Sequence, residues 1–289
     1  MRRIKVYVEA LPVTLSQAMH RVARALTAAA PDTVEVVRDA AEADLQVLHT
    51  ICPGAVGALQ ANRYAMIQYC LNTAGGTEQF AGLWGGAEVV WSYFDIAELL
   101  PSSTRFYHAP LGVDAAFRSG PTPRCDRDID VVTSGYTDGH GAEAISEVWE
   151  AAYRTGCKAI HLGPREIEGW AVPGHIMFEN VHGIGDEELA ALYGRARFVS
   201  GLRRVEGFEL PAAEGLLCGA RPLVFDRMDM HWYRGTGSFV HETAGEILVE
   251  QIADVLVAPW QPVGESEWEA ACNRFSWERV ATGFWEAML

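Results

Sequence analysis

Two glutamates, Glu206 and Glu214, stand eight positions apart in the string Glu206-Gly-Phe-Glu-Leu-Pro-Ala-Ala-Glu214. A Gly-Phe pair follows the first and Pro211 precedes the second, so the spacing predicts a loop that becomes a helix near Leu210, with Pro211 in its first turn. The start of such a helix presents backbone N–H groups that lack intrahelical acceptors, and its dipole favours an anion there. A diphosphate suits that place. Glu214, about one turn into the helix, is then set to accept hydrogen bonds from two vicinal hydroxyls such as those of a ribose. Glu206 would lie across the phosphates, near a sugar. Taken alone, the two glutamates read as a solvated helix cap and a polar helix face, and the wider pattern has to decide.

The elements around this string must hold it in place. Ile4 to Glu9 alternates and is β-branched, and Leu15 to Ala30 has apolar positions at three- and four-residue steps, which predicts strand then helix. Val34–Val37, Leu45–His49, Tyr64–Tyr69 and Glu88–Trp91 read as short apolar strands, with Gly75-Gly76 and Gly85-Gly86 marking loops. A shift to Gly, Pro and polar residues at Pro110–Asp114 and Ser119–Pro123 predicts a boundary, placed between residues 118 and 119. A second series follows: strands at Asp130–Ser134, Lys158–Leu162, His175–Val181, Phe198–Gly201 and Pro222–Phe225, with helices at Ala142–Thr155, Asp186–Ala196 and Leu210–Cys218. Trp268 to Leu289 reads as one amphipathic helix rich in Trp and Phe. The expected fold class is α/β, two β/α lobes each with a mostly parallel sheet.

Composition agrees with a globular chain. Of 289 residues, 49% are hydrophobic and 21% charged, and no apolar run approaches the length of a membrane span. The start Met-Arg-Arg-Ile-Lys-Val-Tyr-Val leads into a strand, where a signal peptide would have its apolar region, so a cytoplasmic protein is expected. The six cysteines are scattered, with no metal-ligand spacing, and are expected to be reduced, buried apolar residues. Net charge is −15, and residues 119–289 carry nearly all the excess, with 14 Lys/Arg against 27 Asp/Glu. Such acidity disfavours non-specific binding to nucleic acid or anionic membrane. A Rossmann-type oxidoreductase has little support, because no G-x-G-x-x-G follows the first strand. Asp126-Arg-Asp128 has the letters of a metal motif but sits at the lobe boundary, and no metal role is expected for it.

The longer string, Phe198 to Val224 around Glu206 and Glu214, resembles the retaining GT-B glycosyltransferases of the large family 4, which includes sucrose and mannosyl transferases and has the pattern E-G-F-G-L-P-x-x-E-A-x-x-x-G-x-P-V. Asp186 to Arg197 is similar to the family's helix before that motif. Leu111-Gly-Val-Asp-Ala-Ala-Phe117 is similar to its N-G-V-D-x-x-x-F linker, one residue shorter. Phe275-Ser-Trp-Glu-Arg-Val-Ala281 is similar to its F-S-W-x-x-x-A helix. The resemblance implies a GT-B fold: an acceptor-side lobe over 1–118, a donor lobe over 119–267, a cleft faced by both, and a C-terminal segment, 268–289, returning to the first lobe. It implies sugar transfer with retention, without a metal or other cofactor, from a nucleoside-diphosphate sugar, UDP being favoured over GDP. In that reading Glu214 binds the ribose, the backbone of Gly207 and Phe208 approaches the phosphates beside Leu210, and Glu206 contacts the donor sugar.

Departures from the pattern matter as much. Where the family's second lobe opens with an Arg and a Lys that neutralise the diphosphate, this chain reads Ser134-Gly135-Tyr136-Thr-Asp-Gly-His140-Gly141. A neutral Tyr136 and an ordinary His140 cannot hold two phosphate charges as those cations do. Arg203, Arg204 and Arg165 are the expected substitutes. Glu209 replaces a family glycine, and either selects the sugar or points outward. In the first lobe His49 ends an expected strand, where it either acts on substrate or is a satisfied core histidine; His108 and Asp95 are weaker candidates. The alternative function is a catalytically weak or inactive nucleotide-sugar or glycan binding module of the same fold. The acceptor is open: a small molecule, glycan, lipid-linked sugar or protein is favoured over modified DNA. The expected assembly is a monomer or homodimer.

Overall fold

Short apolar runs bounded by turn residues become strands, and the longer periodic segments between them become covering helices. The computed structural model describes residues 3–9, 17–50, 59–71, 77–120, 127–135, 144–163, 179–204 and 208–289. The chain divides into two units, the first made of 1–112, 206–208 and 274–289, the second of 113–205 and 209–273. The division at Gly112 lies six residues ahead of the boundary expected at 118.

The first unit runs β1 (Ile4–Val8), α1 (Gln17–Ala28), β2 (Val34–Val37), β3 (Leu45–Thr50), β4 (Tyr64–Gln68), α2 (Ala81–Gly86), β5 (Val89–Ser92) and β6 (Arg105–His108). The second runs β7 (Ile129–Ser134), α3 (Ile145–Thr155), β8 (Ala159–Leu162), β9 (Glu179–Val181), α4 (Asp186–Arg195), β10 (Ala196–Gly201), α5 (Leu210–Leu217), β11 (Arg221–Phe225), β12 (Ser238–Val240), α6 (Gly245–Val257) and α7 (Glu265–Arg274). The last helix, α8 (Trp277–Met288), belongs to the first unit.

The first sheet is parallel in the order β2-β1-β3-β4-β5-β6. Strands β3, β4 and β5 are buried along their whole length, as a parallel sheet covered on both faces requires. Leu48, Met66, Phe80, Trp84 and Val90 form one core cluster. The chain returns to this sheet through α8: the Trp285 indole donates to the Leu26 carbonyl at 3.0 Å, and Tyr107 to that of Val280 at 2.8 Å. The second sheet is parallel in the order β12-β11-β10-β7-β8-β9. Its strand order reverses between β7 and β10, and that of the first sheet between β1 and β3. In open α/β sheets such reversals open a crevice at the carboxyl ends of the strands.

Several expectations are corrected. Gly85 and Gly86 close helix α2 instead of forming a loop, and a Cβ at Gly86 would lie 2.5 Å from the Tyr64 hydroxyl oxygen. The single helix expected over 268–289 is two, broken at Phe275-Ser276, where Ser276 caps α8 by accepting from the Arg279 N–H. Strands β6 and β12 and helix α6 were not expected at all. Among the cysteines, Cys70 and Cys218 are buried, but Cys157 and Cys272 are only half-buried; Cys52 and Cys125 lie outside the described residues. Among the described residues no helix is long and apolar enough to cross a membrane.

Helix α5 lies unusually close to β10. A Cβ on Gly215 would come within 2.4 Å of the Val199 Cγ2. In an exposed helix interior Gly→Ala stabilises by about 1 kcal/mol. Here the clash reverses the sign, and Gly215→Ala is expected to cost about 1–3 kcal/mol of unfolding free energy, read as a lower urea midpoint.

Candidate functional site

The crevice of the second sheet is bounded by the carboxyl ends of β7 and β10. Gly135 follows β7 at φ 121°, a backbone setting that L side chains rarely adopt, and its N–H donates to the Leu162 carbonyl at 3.1 Å. Across the reversal, β10 ends at Gly201, and the Ala144 N–H donates to the Leu202 carbonyl at 2.9 Å. Arg203 and Arg204 follow. Helix α5 then starts at Leu210 with Glu209 as its N-cap and Pro211 in the first turn. Pro211 has no N–H, so the first turn offers those of Leu210 and Ala212, which have no intrahelical acceptor.

The other end of α5 is closed tightly. Gly219, at φ 81°, lets the Ala220 N–H reach the Gly215 carbonyl at 2.9 Å and its own N–H that of Leu216 at 2.9 Å. The buried Arg127 guanidinium donates to the Cys218 carbonyl at 3.2 Å and to the Ala196 carbonyl. Burial pushes the pKa of Arg127 down to about 10, still cationic at neutral pH. A cation at the carboxyl end of α5 reinforces the dipole that makes its amino end attractive to anions.

Two carboxylates sit on this helix. Glu214 is buried on α5 and Glu209 is 1% exposed. The Tyr233 hydroxyl donates to the Glu209 carbonyl at 2.6 Å, and burial, helped by the charges of Glu209 and Glu214, holds the phenol well above its ordinary range. The outward orientation left open for Glu209 is therefore not the one adopted. Arg203 Nε lies 3.4 Å from Glu209 Oε2. Arg204 turns the other way: its Nη2 donates to Glu147 at 3.0 Å and to the Thr243 carbonyl at 3.0 Å, over the Phe225 ring.

The structure thus gathers Gly135, Arg203, Glu209, Leu210 and Glu214 at one sheet edge, with Arg204 adjacent but engaged elsewhere. Glu206, Gly207, Tyr136, His140 and Arg165 lie outside the described residues. Phe208 is counted with the first unit, where its ring packs against Tyr93 at 5.6 Å and Phe275 at 5.9 Å. Asp128, of the Asp-x-Asp letters, is paired with Arg195 at 2.5 Å, which holds its carboxyl well below the usual range; Asp126 lies outside the described residues. Tyr233, Arg127 and Gly201 were not singled out from sequence. A glycine closing a strand signals close backbone or side-chain approach, and Gly201 carried that signal.

His49 lies at the carboxyl end of β3 beside the reversal of the first sheet. Its Nε2 is 2.8 Å from the Glu9 carbonyl, which only accepts, so Nε2 carries the proton and Nδ1 accepts from the Tyr69 hydroxyl at 2.7 Å. Its backbone N–H donates to Glu9 Oε2 at 2.9 Å. Both ring nitrogens are taken by the protein, so the ring is a satisfied core histidine as it stands. Burial lowers its pKa to about 4, against a weaker opposing effect of the Glu9 bond. His161 on β8 is a second buried imidazole, its Nδ1 3.0 Å from the Thr133 hydroxyl and its ring edge-on to Trp149. Burial lowers it to about 4 as well, with hydrogen bonding to the Gly135 backbone working the other way.

No protein-family model matches the sequence, and no curated protein matches it. Solved structures do match. Sucrose-phosphate synthase from Thermosynechococcus elongatus is 14% identical, with TM-score 0.70 over 99% of this chain and 98% of that one. AviGT4, a glycosyltransferase involved in avilamycin A biosynthesis, is 14% identical, with TM-score 0.63 over 99% and 97%. A trehalose-6-phosphate structure from E. coli bound with UDP-2-fluoro glucose is 8% identical, with TM-score 0.64 over 98% of each chain.

The histidines set a pH dependence. Both pKa values fall from 6.5 to about 4 on folding, so the folded chain binds fewer protons than the unfolded one between those values. Their contribution is fully present above pH 6.5 and is lost as pH falls toward 4. Each ring is expected to cost about 2 kcal/mol of stability at pH 5. Urea unfolding at pH 7.5 and 5 measures this, and His161→Asn should remove about half of the dependence. What the chain shares with these solved structures, over nearly its whole length, is the GT-B fold of two parallel-sheet Rossmann-like units.

Proposed function

We propose that the protein is a glycosyltransferase that moves a sugar from a UDP-sugar to an acceptor, with retention of anomeric configuration and without a metal. One observation carries this reading: the first turn of α5 opens at the strand-order reversal of the second sheet, with Glu214 buried about one turn further along the helix. The N–H groups of Leu210 and Ala212 meet the diphosphate, and Glu214 accepts from the ribose hydroxyls. The E. coli structure bound with UDP-2-fluoro glucose, which shares the fold, supports a uridine nucleotide as donor.

In the transfer, the acceptor oxygen bonds to the anomeric carbon on the face from which the diphosphate leaves. The bond from that carbon to the diphosphate oxygen breaks, and the acceptor's proton passes to the departing diphosphate. Charge developing on the leaving group is stabilised by the α5 dipole, by backbone N–H groups and by a nearby cation, the work a divalent ion does elsewhere. A neutral His49 with both nitrogens engaged takes no part in this proton transfer. The donor is assigned to the second unit and the acceptor to the first.

Titration calorimetry with UDP-glucose and GDP-mannose, followed by assay of nucleotide release, tests the proposal. Loss of the charged acceptor in Glu214→Ala should raise the Kd for the UDP-sugar about 10- to 100-fold. Failure of the wild-type chain to bind any nucleotide sugar at millimolar concentration would sink the reading. Binding without turnover on any acceptor would favour the binding module instead.

A further inference from the structure

Arg203 and Arg204 are chain neighbours with opposite fates, and the difference lies in Glu209. Arg204 is tied to Glu147, to the Thr243 carbonyl and to the Phe225 ring, and its own carbonyl accepts from Arg227 at 2.9 Å. Arg203 follows the end of β10, its N–H donating to the Gly201 carbonyl at 2.9 Å, and its side chain is 18% exposed. The carboxylate beside it belongs to the N-cap residue of α5 and is 1% exposed. The Glu209 stem is locked: a Cβ on Gly201 would lie 2.8 Å from Glu209 Cβ and 2.9 Å from its Cγ, and Tyr233 holds the Glu209 carbonyl.

A carboxylate so covered has almost no surface to offer a sugar hydroxyl. It does have a guanidinium at 3.4 Å. Ion pairs taken out of water seldom stabilise a fold, since desolvation offsets the attraction, but they fix where a side chain points. We propose that Glu209 is a positioning residue, its buried carboxylate holding the Arg203 guanidinium at the amino end of α5 as the cation that meets the donor's diphosphate. The proposal rests on the donor reading above and deepens it. It gives the one extra carboxylate beside α5 a role, and it separates Arg203 from Arg204.

Positioning and simple electrostatics predict opposite signs for the loss of the Glu209 charge. Removing a negative charge near a diphosphate site should tighten anion binding. Positioning predicts the reverse, that Glu209→Gln weakens UDP binding roughly 3- to 30-fold, as expected for coupled neighbours. UDP is titrated calorimetrically into wild type, Glu209→Gln, Arg203→Ala and the double variant, with thermal unfolding run on each. Arg203→Ala should weaken UDP binding as well, and the double variant should bind no more weakly than Arg203→Ala alone. Glu209→Asp, which keeps the carboxylate, should recover part of the loss. UDP binding by Glu209→Gln as tight as wild type or tighter, unchanged binding by Arg203→Ala, or additive losses in the double variant would each overturn the proposal. Arg203→Ala, altering a partly exposed side chain, keeps the test decisive if Glu209→Gln does not fold. Absence of UDP binding by the wild-type chain would instead strike the donor reading itself.

Discussion

The approach of α5 to β10 is the constraint on which the second unit depends. With no side chain at Gly215, the helix settles against Val199, and with none at Gly201 the strand end makes room for the Glu209 stem. The two glycines together carry the amino end of α5 to the reversal between β7 and β10. At the far end, the Gly219 turn, the Trp268 indole and Arg127 satisfy the last carbonyls, so the dipole of an eight-residue helix is held with a cation at one end and open N–H groups at the other. Everything assigned to the donor follows from this placement.

The two units divide the polar chemistry differently. In the first, Glu9, His49 and Tyr69 join the carboxyl ends of β1, β3 and β4 into a closed set of hydrogen bonds, which fixes the sheet edge and leaves the imidazole neutral. In the second, the Thr133 hydroxyl links the His161 ring to the Trp149 indole. Buried polar chains of this kind are specific because each member leaves the next unsatisfied if removed. The charged groups of the second edge, by contrast, are arranged around α5, and there Arg203 brings a positive charge into a strongly acidic lobe.

Much of this was legible in the residues. Strands β2, β3, β7 and β10 and helices α4 and α5 follow from apolar periodicity, Pro211 and turn residues, within one or two positions. The strand orders did not, because parallel neighbours are chosen by packing between distant segments that leave no local mark. Strand β6, Arg-Phe-Tyr-His, lacks an aliphatic pattern and lies at an edge; α6 begins at Gly245 without a capping side chain and is held by Leu248, Ile252 and Leu256 packing in a core with α3. The break between α7 and α8 hides in a run that stays amphipathic across it. At the site, the motif located α5 and its carboxylates, while the divergence of Arg203 from Arg204 depended on which partner each met in the fold. Sequence spacing does not encode that.

The central claim, that the nucleotide's phosphates sit at the amino end of α5, is tested most directly by a crystal structure with UDP bound. The account predicts the diphosphate within hydrogen-bond distance of the N–H groups of Leu210 and Ala212, with the ribose hydroxyls on Glu214. Density for UDP at the β1/β3 reversal of the first sheet, or against any face of the second unit other than the β7/β10 edge, would contradict it.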